Sequence, residues 1–132
     1  MIICGYAGIG KSYCAKQIAN LVDLESTPFK KNWEVYADVI EHMHKNGYRV
    51  LTSCHKELRE ELKKRGLYFF VAIPSEERKE EFKERYIQRG NSEEFINLQM
   101  DNWDKWHNEI REEKGYKLIT LTKDCDLFEI LS

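Results

Sequence analysis

Gly5-Tyr6-Ala7-Gly8-Ile9-Gly10-Lys11-Ser12 satisfies every fixed position of the pattern G-x-x-x-x-G-K-[ST]. The residues before it, Met1-Ile2-Ile3-Cys4, form an apolar run of strand type, and Ser12 to Ala19 can continue as a helix. Strand, glycine-rich loop and helix in that order bring backbone N–H groups to the positive end of a helix, where an anion is stabilised. The pattern assigns Gly5, Tyr6, Ala7, Gly8, Ile9, Gly10, Lys11, Ser12 and Tyr13 to a nucleoside triphosphate, ATP or another. Lys11 is expected to reach the β and γ phosphates, and Ser12 to ligate Mg²⁺.

Working outward, strand and helix patterns alternate to the end of the chain. Leu21 to Glu25 reads as a second strand, closed by Ser26-Thr27-Pro28. Trp33, Tyr36, Val39, Ile40 and Met43 recur at helical spacing, with Asn32 as N-cap and Gly47 as stop. Tyr48 to Ser53 is a third strand, and a helix over 55–65 follows, with Glu60/Lys64 and Glu61/Arg65 as i,i+4 pairs. Leu67 to Ile73 is nearly continuously apolar, as expected of a strand buried on both faces. A fourth helix runs from Pro74-Ser75 to Arg89-Gly90, and a fifth spans Ser92 to Glu113 with Trp103, Trp106 and Ile110 as core. Lys117 to Leu121 is the last strand, and a short helix over 125–131 closes the chain. The alternation predicts an α/β fold: a parallel sheet covered by helices on both faces and joined by right-handed crossovers. Ligands of such sheets lie at the carboxyl ends of the strands.

Those ends carry the remaining candidates. Asp23 and Glu25, two apart in an extended segment, point the same way and present two carboxylates to the loop, beside Ser26. They suit Mg²⁺, with Asp23 joining Ser12 as a metal residue, or an acceptor hydroxyl. Strand three ends in Thr52-Ser53-Cys54-His55, where a Walker B strand would carry an aspartate. Either Ser53 contributes a hydroxyl there, or Asp23 and Glu25 supply the carboxylate. His55 either faces the site or begins the third helix. Lys56 and Arg59, one turn apart, either meet an anionic substrate or form a solvated face. On the fourth helix, Arg85 and Arg89 share a face. They are expected to be catalytic with Lys11, neutralising the charge of a phosphoryl-transfer transition state. Glu81 is also placed to pair with Arg85, while Arg78 and Lys79 read as members of Glu–Arg pairs.

Composition sets the outer limits. The chain has 132 residues, 42% apolar and 33% charged, with net charge −2, which fits one globular domain and offers no global attraction to nucleic acid or anionic membranes. No apolar run approaches the roughly 20 residues of a membrane span. Met1 leads straight into a strand, so no signal peptide is expected, and Cys4, Cys14, Cys54 and Cys125 lack metal-type spacing. A cytoplasmic protein with free thiols is the expectation.

With these residues in view, the chain resembles the small P-loop kinases related to adenylate kinase, above all the short adenylate-kinase-like proteins of bacteria and phages. Pro74, Arg85 and Arg89 are similar to the arginine pair of nucleoside monophosphate kinases. Asp23-Leu24-Glu25 is a near match to the D-x-D turn of shikimate and gluconate kinases, and Ser53, Lys56 and Arg59 to a serine and basic helix in gluconate kinase. The resemblance implies a three-layer P-loop NTPase fold, a five-stranded parallel sheet in the order 2-3-1-4-5, ATP as donor and Mg²⁺. It implies one domain over 1–132, with an acceptor region at about 26–47 and a minimal lid at about 85–92. The region 26–47 holds one helix where nucleoside monophosphate kinases insert several. The expected activity is an ATP- and Mg²⁺-dependent phosphotransferase acting on a small acceptor, most simply a nucleoside monophosphate. Alternatives are a kinase for a gluconate- or shikimate-type metabolite, and a nucleotide-binding interaction protein with slow or no hydrolysis.

Overall fold

Strand β1 (Ile2–Gly5) is buried along its whole length and occupies the middle of the sheet. The computed structural model describes residues 1–132. Five strands, β1, β2 (Leu21–Leu24), β3 (Arg49–Thr52), β4 (Phe70–Pro74) and β5 (Lys117–Leu121), pair in parallel in the order 2-3-1-4-5. The order expected from the resemblance is the one observed. Ile3 sits between Leu51 and Phe70, and Cys4 between Thr52 and Val71. Apolar side chains on both faces of β1 are thus covered, which is why this run carries no alternation.

Seven α-helices complete the chain: α1 (Lys11–Gln17), α2 (Trp33–Lys45), α3 (Lys56–Lys64), α4 (Lys79–Gln88), α5 (Glu93–Asp101), α6 (Trp103–Glu112) and α7 (Leu127–Leu131). Helix α1 packs on α7, and α2 on α3. None is long and apolar enough to cross a membrane. Asn32 caps α2 by accepting the Val35 N–H at 3.2 Å, and the left-handed Gly47 (φ 89°) ends its C-terminal turn. All four cysteines carry free thiols.

Four expectations need correction. The fourth strand begins at Phe70, not Leu67, and Tyr68 is 65% exposed. Apolar character alone did not mark the strand's start, since only residues from Phe70 on find ladder partners on β1 and β5. The helix read over Ser92–Glu113 is two helices. Its break is Asn102, whose φ of −103° and ψ of 4° leave the helix, while its side chain donates to the Leu98 carbonyl at 2.9 Å. The bend lets the Trp103 indole donate to the Glu76 carbonyl at 2.9 Å and brings His107 Nε2 to 2.9 Å from the Pro74 carbonyl oxygen. Helix α6 is thereby fixed to the end of β4. Trp106, expected in the core, is only half buried and lines a cavity. Finally, Glu61 does pair with Arg65 at 3.2 Å, but Glu60 and Lys64 form no ion pair. Arg65 is drawn across to Glu41 and Asp38 of α2, which stitches α2 to α3.

Candidate functional site

The loop between β1 and α1 turns on Gly8 (φ 86°) and Gly10 (φ 93°), both in the left-handed region. Gly8 is also sterically required: a Cβ there would stand 2.8 Å from Tyr86 Cε1. The loop is held from outside. The Tyr86 hydroxyl donates to the Ala7 carbonyl at 2.8 Å, and the Arg85 guanidinium to the Gly8 carbonyl at 2.9 Å. With its carbonyls so occupied, the loop turns its amides the other way. The N–H groups of Ala7, Gly8, Ile9, Gly10, Lys11, Ser12 and Tyr13 find no acceptor within the protein. Consecutive free amides in a partly buried loop are a nest for an anion.

Lys11 closes this nest. Its ammonium donates to the Gly5 carbonyl at 2.9 Å and the Tyr6 carbonyl at 3.2 Å. Burial pushes its pKa below that of a free lysine and the charge of Arg89 adds to this, against the opposing pull of Asp23. Next along the helix, the Ser12 hydroxyl donates to Asp23 Oδ2 at 2.8 Å, while Asp23 Oδ1 is buried without any partner. A hydroxyl and a carboxylate with an unused oxygen beside a phosphate nest suit Mg²⁺. That ion is held by one or two carboxylates plus phosphate oxygens rather than by an all-protein cage. No group of three or more His, Cys, Asp or Glu side chains offers a cage here.

The other expected residues are distributed unevenly. Glu25 lies beyond β2, is exposed and makes no polar contact with the loop, so the pair of carboxylates is not formed. The strand stops at Leu24, and the two-residue alternation that would align Glu25 with Asp23 stops with it. Ser26 starts a 3₁₀ turn (Thr27–Phe29) without capping it. Tyr13 is exposed beside Phe128, their ring centroids 5.6 Å apart. Tyr6 turns inward instead, its ring 5.6 Å from Trp103, and its buried hydroxyl has no partner.

The ends of β2 and β3 are tied together by Tyr36. Its hydroxyl donates to the Leu24 carbonyl and accepts the Ser53 N–H at 3.0 Å, and burial raises its pKa to about 12. Ser53 Oγ in turn lies 2.9 Å from His55 Nδ1. Desolvation lowers the His55 pKa, which keeps the imidazole neutral at neutral pH. Arg59, one of two open possibilities in the sequence, is not a solvated residue: it is 4% exposed. Its guanidinium donates to Glu113 at 2.8 Å and to the Cys54 carbonyl. Burial pushes the Glu113 carboxyl up, but the hydrogen bond and charge of Arg59 outweigh it and hold the group below its usual range. The pair joins α3 to the end of α6.

Arg85 and Arg89 both lie against the loop, in different states. Arg85 is committed to Gly8, to Glu81 at 2.8 Å and to Asp126 at 3.4 Å. Arg89 caps α4, is exposed and has no ion pair; its guanidinium nitrogen lies 3.4 Å from where a Gly8 Cβ would stand. Arg78, expected in a Glu–Arg pair, forms one with Glu81 at 2.7 Å; it is 3% exposed and also donates to the Leu121 carbonyl at 3.0 Å.

A cavity of about 520 Å³ opens beside the loop, within the roughly 300–1,000 Å³ range of small-molecule sites. One wall is Tyr6 and Lys11, another the start of α3, and the third comes from Phe95, Gln99 and Trp106 on α5 and α6. The third wall was not legible as a site, because its aromatic spacing is that of any core-facing helix. The region 26–47 contributes nothing to this lining. No protein-family model matches the chain, and no curated protein matches it.

Proposed function

We propose that this chain is an ATP- and Mg²⁺-dependent phosphotransferase of P-loop type, with a nucleoside monophosphate as acceptor. The observation that carries the reading is the run of free N–H groups from Ala7 to Tyr13, wound on two left-handed glycines and closed by a part-buried ammonium. Such a nest orients the β and γ phosphates of a triphosphate. Lys11 neutralises charge on the transferring group, and its desolvated site strengthens that interaction. Ser12 and Asp23 would hold Mg²⁺, which when bound offsets charge on the β and γ oxygens. Arg85 braces the loop through the Gly8 carbonyl, and Arg89, free of ion pairs, is the arginine available to close over the transition state. In the reaction an acceptor oxygen bonds to the γ phosphorus while the bond from that phosphorus to the β–γ bridging oxygen breaks, and ADP leaves. A monophosphate presents an oxygen that is already ionised, so no base is needed.

The neutral His55 beside Ser53 favours a second reading, a kinase for a small hydroxylated metabolite, in which His55 takes the hydroxyl proton. One assay separates the two. The protein is incubated with Mg-ATP and each of a panel of nucleoside monophosphates and sugar acids, and ADP is measured. ADP formed only with a monophosphate supports the first reading, and only with a sugar acid the second. Slow ADP regardless of acceptor points to a hydrolase, and ATP binding without turnover to an interaction protein. Lys11→Met abolishes all turnover in either kinase.

A further inference from the structure

We propose that Gln99 of α5 is the residue that determines which acceptor is used, so that acceptor recognition sits on the α5–α6 pair rather than in residues 26–47. The inference rests on the phosphotransferase reading above and adds where and how the second substrate is recognised.

Gln99 is 8% exposed and lines the cavity, yet its carboxamide makes no hydrogen bond within the protein. The residue is mostly buried, yet its carboxamide atoms are open to the cavity and free to bond whatever enters it. The hydroxyl of Tyr6, buried and without a partner, belongs to a residue of the same lining. A carboxamide open to the cavity and an orphaned hydroxyl in the same lining mark a surface made to hydrogen-bond a molecule, with Phe95 and Trp106 supplying apolar area beside them. A carboxamide presents two donors and an acceptor at once, so it suits a planar group with a donor and an acceptor side by side.

The opposite side of the cavity suits an anion. The N–H groups of Cys54, His55, Lys56 and Glu57, at the start of the nine-residue α3, have no acceptor in the protein, and His55 caps the helix without a side-chain bond. Lys11 and Lys56 add positive charge to that side. An acceptor with an anionic end and a flat polar body is therefore held with the anion toward the phosphate loop and the body against Gln99. Beside it, Trp103, His107 and the Arg59–Glu113 pair fix α6, which carries Trp106, at three points. Specificity set by satisfying or orphaning buried polar groups is the strong kind.

The test uses the wild-type chain, Gln99→Leu and Gln99→Glu. AMP, CMP, GMP, UMP, dTMP, D-gluconate and shikimate are titrated by tryptophan fluorescence and in the Mg-ATP transfer assay, with melting temperature and Mg-ATP affinity measured alongside. For the compound the wild type prefers, Gln99→Leu is expected to raise KM about tenfold or more, with kcat within about threefold. Mg-ATP affinity stays unchanged and the melting temperature changes little, because the carboxamide makes no hydrogen bond within the protein that the substitution could break. Gln99→Glu keeps the shape, and it changes the order of preference within the panel. A merely structural Gln99 would instead lower the melting temperature and leave the order of preference intact, which overturns the proposal. So does saturation by no compound of the panel, or an acceptor KM within about twofold of wild type in both variants. Failure of the wild type to bind Mg-ATP sinks the phosphotransferase reading itself. Intact Mg-ATP binding with indifference to Gln99 sinks only this inference.

Discussion

The hydroxyl of Ser12, on the first turn of α1, donates a 2.8 Å hydrogen bond to Asp23 on β2. Two segments that follow the loop in sequence thus meet at its mouth, and the second carboxylate oxygen is left buried without a partner. Asp23→Asn keeps the shape and removes the charge. It is expected to weaken the dependence on Mg²⁺, with about 10- to 100-fold more metal needed for half-maximal turnover. Titration of turnover with MgCl₂ checks this, and an unchanged midpoint contradicts the metal role.

Gly8→Ala places a side chain where φ is 86° and Tyr86 Cε1 lies 2.8 Å from the new Cβ. The conformational penalty alone is about 1–2 kcal/mol. The melting temperature falls, and the loop shifts off Tyr86 and Arg85. Calorimetry should then show nucleotide binding lost, whereas retained affinity would mean that the loop geometry is dispensable.

Alkaline pH tests Lys11. Desolvation holds its pKa in the free protein below that of an ordinary lysine, so the ammonium is lost earlier as pH rises. Bound phosphate favours the ammonium and raises the pKa again. Between the two values, binding takes up a proton and affinity falls with pH. Calorimetry in buffers of different ionisation enthalpy should detect that uptake on the alkaline side. Affinity flat up to about pH 10, near the unperturbed value, rules it out. The same depressed pKa makes the part-buried ammonium a cost to stability at low pH, and the cost fades as pH rises through the folded value.

Arg78 holds Glu81 and the Leu121 carbonyl while almost wholly buried. Arg78→Met leaves Glu81 with Arg85 alone and removes one of the two donors to the Leu121 carbonyl, which keeps the Ser75 N–H at 2.9 Å. The expected loss is about 3 kcal/mol, typical of breaking one side of a buried pair. Denaturant unfolding measures it, and a change below about 1 kcal/mol would place Arg78 with surface pairs.

Tyr36→Phe removes the hydroxyl that joins the Leu24 carbonyl to the Ser53 N–H. Two backbone groups lose their partner, with an expected cost of about 1–3 kcal/mol. Amide exchange at Ser53 should accelerate more than at Val50, which keeps its own bond to the Met1 carbonyl at 2.9 Å.

What the residues determined by themselves is the local grammar. An unbroken apolar run at Ile2–Cys4 is a strand buried on two faces, the glycine pattern from Gly5 to Gly10 is a loop that needs left-handed backbone, and Asn32 and Gly47 bound a helix. These features depend on neighbours within a few residues, so alternation of elements led directly to a parallel sheet. Tertiary structure decided everything that depends on partners distant in the chain. Asp23 meets Ser12 whereas Glu25 does not, because the strand ends between them. Arg59 is buried because Glu113, 54 residues away, waits for it, and Arg85 is spent on the Gly8 carbonyl 77 residues before it. Periodicity cannot separate a tryptophan in the core from one beside a cavity. The break at Asn102 turned α6 so that Trp103 went inward and Trp106 came to line the site.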